Sequence, residues 1–128
     1  MISQVTNGIK ISVKAKYIGN SKLQGFEVYN FEYRITIDNH SNDSAQLVSR
    51  HWRILDALNQ PKIINGEGVI GKKPIIKPGE SYSYESYSVL FSPFGAMVGF
   101  FTMINLSTSA FINVAIPRFR LNAAFAIN

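Results

Sequence analysis

A chain of 128 residues with a net charge of +5 suits one domain built round one core. Hydrophobic residues at 46% against charged residues at 16% exclude disorder by composition. The absence of cysteine excludes disulfides, thiolate metal sites and cysteine nucleophiles, and fits a reducing cytoplasm.

Near the N-terminus, Ile9, Ile11, Val13, Ala15 and Tyr17 alternate with Lys10, Ser12, Lys14 and Lys16, a period of two that predicts a half-buried strand. No basic stretch leading into an apolar core precedes it, so no signal peptide is expected. Phe31, Tyr33, Ile35 and Ile37 repeat the alternation before a turn over residues 38–44. A strand over Gln46 to Leu55 follows, then a turn over Asp56 to Pro61 and a short strand at Ile63-Ile64. Lys77-Pro78-Gly79-Glu80 predicts a Pro-Gly turn.

The bulky residues at 82 and 84, then at 87, 89 and 91, change phase, which predicts a β-bulge near Glu85–Ser86. Ser92-Pro93-Phe94-Gly95 reads as a turn into a strand over Met97 to Leu106. The last strand runs from Ala110 to Ile116, with Pro117 ending it and Phe119 and Leu121 resuming after a kink. No segment shows a helical period, and short strands at near-regular spacing point to a sandwich or barrel. Ser86 to Pro117 carries no charge, but its Pro, Gly and Ser/Thr punctuation reads as two buried strands rather than a membrane span.

Gly66-Glu67-Gly68-Val69-Ile70-Gly71 matches the G-x-G-x-x-G spacing of dinucleotide sites. Those sites need a helix next, and Lys72-Lys73-Pro74-Ile75-Ile76-Lys77-Pro78 cannot readily supply one. A weaker version remains, in which the glycine loop with Lys72 and Lys73 holds a phosphate-containing ligand. His51 beside Ser49 and Asp56 invites a triad, yet no nucleophile elbow accompanies it, and a structural or surface role is expected. Trp52 is expected between two sheets. Arg50 alternates with Val48 and Trp52 on one face, which predicts an ion pair with Glu67 or Glu80. Lys10, Lys14 and Lys16 form a basic face, but the aromatics alternate inward, so nucleic-acid binding is not expected.

Leu47-Val48-Ser49-Arg50-His51-Trp52-Arg53-Ile54-Leu55-Asp56 resembles the ApaG signature around Ser-Arg-His-Trp. The glycine segment 66–71, Pro74, residues 77–80, Ser92-Pro93-Phe94-Gly95, Met97, Gly99, Met103, Phe111, Val114, Ile116, Pro117, Phe119 and Leu121 follow in the family's order. Leu58-Asn59-Gln60 departs from it where a glycine often ends the turn.

The resemblance to the ApaG (CorD) family implies an all-β, immunoglobulin/fibronectin type III-like antiparallel β-sandwich over residues 1–128, in a bacterial cytoplasmic protein. It also implies a non-enzymatic protein-interaction role, since similar domains sit in eukaryotic F-box proteins, and a genetic link to cobalt resistance and magnesium efflux. Asp38, His40 and Asp43 share one turn, and a solvated polar turn is expected there in preference to a metal site.

Two functions follow as expectations. The first is a module that binds an unidentified protein partner through edge strands and loops, with Arg50, His51, Trp52, Pro93, Phe94 and Gly95 as structural or interface residues. The second is a small-anion sensor, for pyrophosphate or a nucleotide, using Gly66, Glu67, Gly68, Gly71, Lys72 and Lys73. No cofactor, metal or membrane is expected, and exposed sheet edges permit a monomer or a homodimer.

Overall fold

The computed structural model describes residues 1–123, and residues 124–128 lie outside the described region. Alternating apolar residues form nine strands among the described residues, and every pairing between them is antiparallel. They are β1 (Ile2–Thr6), β2 (Ile9–Leu23), β3 (Phe26–Asn39), β4 (Ala45–Asp56), β5 (Lys62–Glu67), β6 (Ile75–Ile76), β7 (Ser81–Leu90), β8 (Phe94–Asn105) and β9 (Phe111–Asn122).

One sheet has the order β1-β2-β3-β7, and the other the order β5-β4-β8-β9, with β6 also on β4. The inner faces meet in a core of Ile9, Ile11, Phe31 and Ile35 from the first sheet against Leu47, Trp52, Phe101 and Ile116 from the second. Each such side chain contributes about 1.5–3 kcal/mol by burial, so a one-residue slip that turned a strand's inward set outward is strongly opposed. The result is an immunoglobulin/fibronectin type III-like sandwich. Along one side β9 packs on β1 and β2, where the Ala115 amide donates to Thr6 Oγ1 at 3.3 Å.

Several strands differ from the sequence expectation, each for a packing reason. β7 pairs with β3 in unbroken register from Asp38↔Ser81 to Tyr29↔Leu90, so the bulge expected near Glu85–Ser86 is absent. Ser86 and Ser88 continue the inward face, and Tyr87, Val89 and Phe91 point to solvent. Phe94 and Gly95 begin β8 rather than close a turn. β9 runs through Pro117, which is buried beside the register shift between Met97 and Gly99 on β8. A bulge tolerates a residue with no N–H to donate. β1 and β6, which no periodicity announced, pair at the ends of β2 and β4. The Pro-Gly turn is as expected, with Glu80 N–H donating to the Lys77 carbonyl at 2.9 Å and Gly79 at φ +81°.

Asn39, fully buried, ties the turns together. Its amide donates to the carbonyls of Asp43 and Ile76, and its oxygen accepts from the Ser41 amide and hydroxyl.

Candidate functional site

β5 runs along one edge of β4 from Ile54↔Lys62 to Ser49↔Glu67. At Val48 the register of β4 on β8 shifts, and opposite that shift the chain leaves the sheet, returning as β6. Gly68 N–H donates to the Val48 carbonyl at one end of this excursion, and Leu47 N–H donates to the Pro74 carbonyl at the other. Between them Val69 and Lys72 exchange two hydrogen bonds of 2.8 and 2.9 Å, closing a two-residue turn. Its central residues, Ile70 and Gly71, have φ of +48° and +72°, as a type I′ turn requires. Val69 is buried and pins the hairpin down on the sandwich interior.

The G-x-G-x-x-G residues are therefore an edge excursion. Gly66 lies opposite Arg50, and a Cβ there would sit 2.7 Å from the guanidinium carbon. Gly68 combines φ +61° with a carbonyl contact, since an added Cβ would meet the Lys72 oxygen at 2.2 Å. The amides of Gly68, Val69 and Lys72 all donate to protein carbonyls. Glu67 is exposed, with its carboxylate 3.4 Å from the Lys73 ammonium.

Arg50 shares the face of Trp52 as expected, and the shift at Val48 puts Leu47 on that inner face instead of Val48. The expected ion pair is absent. Arg50 Nη1 donates to the carbonyls of Glu67 and Gly68, at 3.1 and 2.7 Å, and Glu80 accepts instead from the Lys77 amide. Gly66 explains the substitution, because only a missing Cβ lets the guanidinium lie over that backbone. Glu67→Gln is accordingly expected to leave the urea midpoint unchanged, whereas an ion pair to Arg50 would lower it.

Trp52 is buried edge-on to Tyr33 and Phe119, at ring separations of 5.7 and 5.9 Å. His51 lies on the outer face, stacked on Phe100 at 4.8 Å and hydrogen-bonded through Nδ1 to Asn65. Asp56, at the far end of β4, accepts the Phe91 amide at 2.7 Å, so Ser49, His51 and Asp56 form no triad. Asp38 accepts from the Ser81 hydroxyl and Asp43 from the Asn105 amide, and among the described residues no group of three His, Cys, Asp or Glu is placed to hold a metal. No helix among the described residues is long and apolar enough to cross a membrane.

Pro93, Phe94 and Gly95 are not brought to the Arg50 cluster. They lie beside Leu55 and Asp56, about six strand residues and roughly 20 Å along β4. Sequence reasoning missed what surrounds them. Phe26, at the tip of the β2–β3 hairpin, is 65% exposed and meets Phe91 edge-on at 6.3 Å, with Leu58, 82% exposed, beside them. Phe94 is exposed on the other side of the Leu58–Asn59 turn, in a concavity that also holds Arg118 and Arg120. No sequence signal marked this cluster, because the outward course of Phe91 follows from the register of β7 on β3 and not from the pattern of bulky residues.

Residues 20–105 match the family model described as the ApaG domain. Protein ApaG of Acidithiobacillus ferrooxidans is 40% identical over 124 residues, covering 97% of both chains. Protein ApaG of Paramagnetospirillum magneticum is 37% identical, over 96% of this chain and 94% of that protein. An X-ray structure of a Northeast Structural Genomics Consortium target superposes with a TM-score of 0.87 at 39% identity, over 92% of this chain and 89% of that one. A crystal structure assigned to an ApaA protein of Bordetella pertussis gives 0.81 at 29% identity, over 91% of this chain and 94% of that one.

Proposed function

We propose, because this chain belongs to the ApaG domain family, that it is a non-enzymatic interaction module and that it docks a protein partner at the aromatic end of the sandwich. The observation that carries the proposal is the contact between Phe26 and Phe91 with Leu58 beside it, all exposed. Single exposed apolar side chains are ordinary, but large ones gathered at one place mark a surface meant to be covered. Phe91 closes the outward row Tyr87, Val89 and Phe91, which begins on the edge strand β7, so a partner strand added there would meet aromatic anchors at its end. Arg118 and Arg120, with no carboxylate in ion-pair range among the described residues, favour a partner segment that carries acidic residues beside its apolar ones.

The role in divalent-cation homeostasis would then be exerted through that partner in the cytoplasm. Cross-linked capture from the native lysate provides the test. The unaltered chain is expected to retain a discrete partner that the Phe26→Ser, Phe91→Ser double variant loses at least tenfold. The Lys72→Glu, Lys73→Glu double variant is expected to retain it. Equal capture by the aromatic variant, or loss only in the lysine variant, would move the docking surface away from this end.

A further inference from the structure

The excursion between β5 and β6 roofs a cavity of about 130 Å³ walled by Tyr33, Arg50, Trp52, Val69, Tyr84 and Ser86, with Ile70 and Gly71 at its rim. Arg50 spends Nη1 on the carbonyls of Glu67 and Gly68, leaving Nε and Nη2 without a protein acceptor among the described residues. No carboxylate among the described residues is within ion-pair range of its charge. A half-buried guanidinium is costly without a counter-charge, and it is well shaped to bind one.

The Tyr84 hydroxyl is buried with no hydrogen-bond partner among the described residues. Burial pushes this phenol well above its ordinary range, so it is a protonated donor at any physiological pH. Tyr33 is likewise raised by burial. The Arg50 guanidinium and both phenols line this one cavity. Trp52 and Val69 supply an apolar wall.

We propose that this cavity is a binding site for a small monocarboxylate, held by the free N–H groups of Arg50 and the hydroxyl of Tyr84, with its alkyl group against Trp52 and Val69. One guanidinium balances one negative charge. A phosphate dianion would bring a second charge into a pocket with nothing to neutralise it. The volume suits a few heavy atoms, since water occupies about 30 Å³ per molecule. The type I′ turn borders the cavity, and in it Ile70, a β-branched residue, is held at φ +48°. This site is independent of the aromatic end, and either can fail without the other.

The test is a titration of the isotope-labelled chain with sodium acetate, against sodium chloride and sodium phosphate at matched ionic strength. Acetate alone is expected to give saturable shifts at the Trp52 indole, the Arg50 side chain and the amides of 68–71. Tyr84→Phe removes only an oxygen that has no hydrogen-bond partner among the described residues, so the fold survives with an equal or higher thermal midpoint. That variant is expected to weaken acetate at least tenfold, and Arg50→Lys, which keeps the charge and loses the fork, to do the same. The proposal is overturned by shifts that chloride or phosphate reproduces, by no saturable shift, or by unchanged acetate affinity in Tyr84→Phe.

Discussion

Trp52→Ala is expected to cost about 3–5 kcal/mol of folding stability, the range for removing a large buried aromatic from a core. Trp52 is 2% exposed and stands edge-on to Tyr33 across the sandwich and to Phe119 on its own sheet, so its loss opens a cavity that both sheets border. Aromatic contacts of this kind add about 0.5–1.5 kcal/mol beyond area burial. A domain of this size has about 5–15 kcal/mol in total, so the variant sits near or beyond the edge of folding at 37 °C. Urea unfolding followed by far-UV circular dichroism gives the number. Arg53→Ala, one residue on and exposed, is the control and is expected to leave the midpoint nearly unchanged.

The second large effect comes from the glycine excursion, where neighbouring positions are expected to respond with opposite signs. Gly68→Ala must place a Cβ 2.2 Å from the Lys72 carbonyl oxygen while holding φ at +61°. Relief requires the Val69–Lys72 hydrogen bonds to open, which lifts buried Val69 and moves the Gly68 carbonyl away from Arg50. Steric strain with lost packing puts the cost at about 3 kcal/mol. Ile70→Asn should instead stabilise by about 1 kcal/mol, because Asn accepts the left-handed backbone that Ile resists, and the Ile70 side chain is exposed. Denaturation midpoints of the two variants decide the point. If the glycines served an anion instead of the backbone, Gly68→Ala would leave stability alone and change only ligand affinity.

The strands were legible in the sequence wherever one face is buried. Ile9 to Tyr17 and Phe31 to Ile37 alternate because their other faces carry Lys, Arg and Glu in water. Alternation stops being informative where both faces are apolar or both are polar. On β7 the inward residues 82 to 90 are Tyr, Tyr, Ser, Ser and Leu, and Tyr87, Val89 and Phe91 lie outside. Bulk alone therefore suggested a bulge, and register on β3 decided otherwise. β1 has no buried row to reveal it, and β6 is too short to show a period.

The candidate site was half legible. The Ser-Arg-His-Trp and glycine segments were recognisable, and β4–β5 pairing brings them together. Which group meets Arg50 could not be read from charge, since the partner is backbone exposed by a missing Cβ at Gly66. The aromatic end was illegible for a related reason. Phe26, Leu58 and Phe91 are far apart in sequence, and each alone looks like core material.

The most direct measurement places a photoreactive amino acid at Phe91, and separately at Lys77, and irradiates each chain in living cells. A discrete adduct with one protein, formed from position 91 and absent from position 77, is the expected result. Matching adducts from both positions, or none from position 91, would contradict a docking surface at the Phe26–Phe91 end.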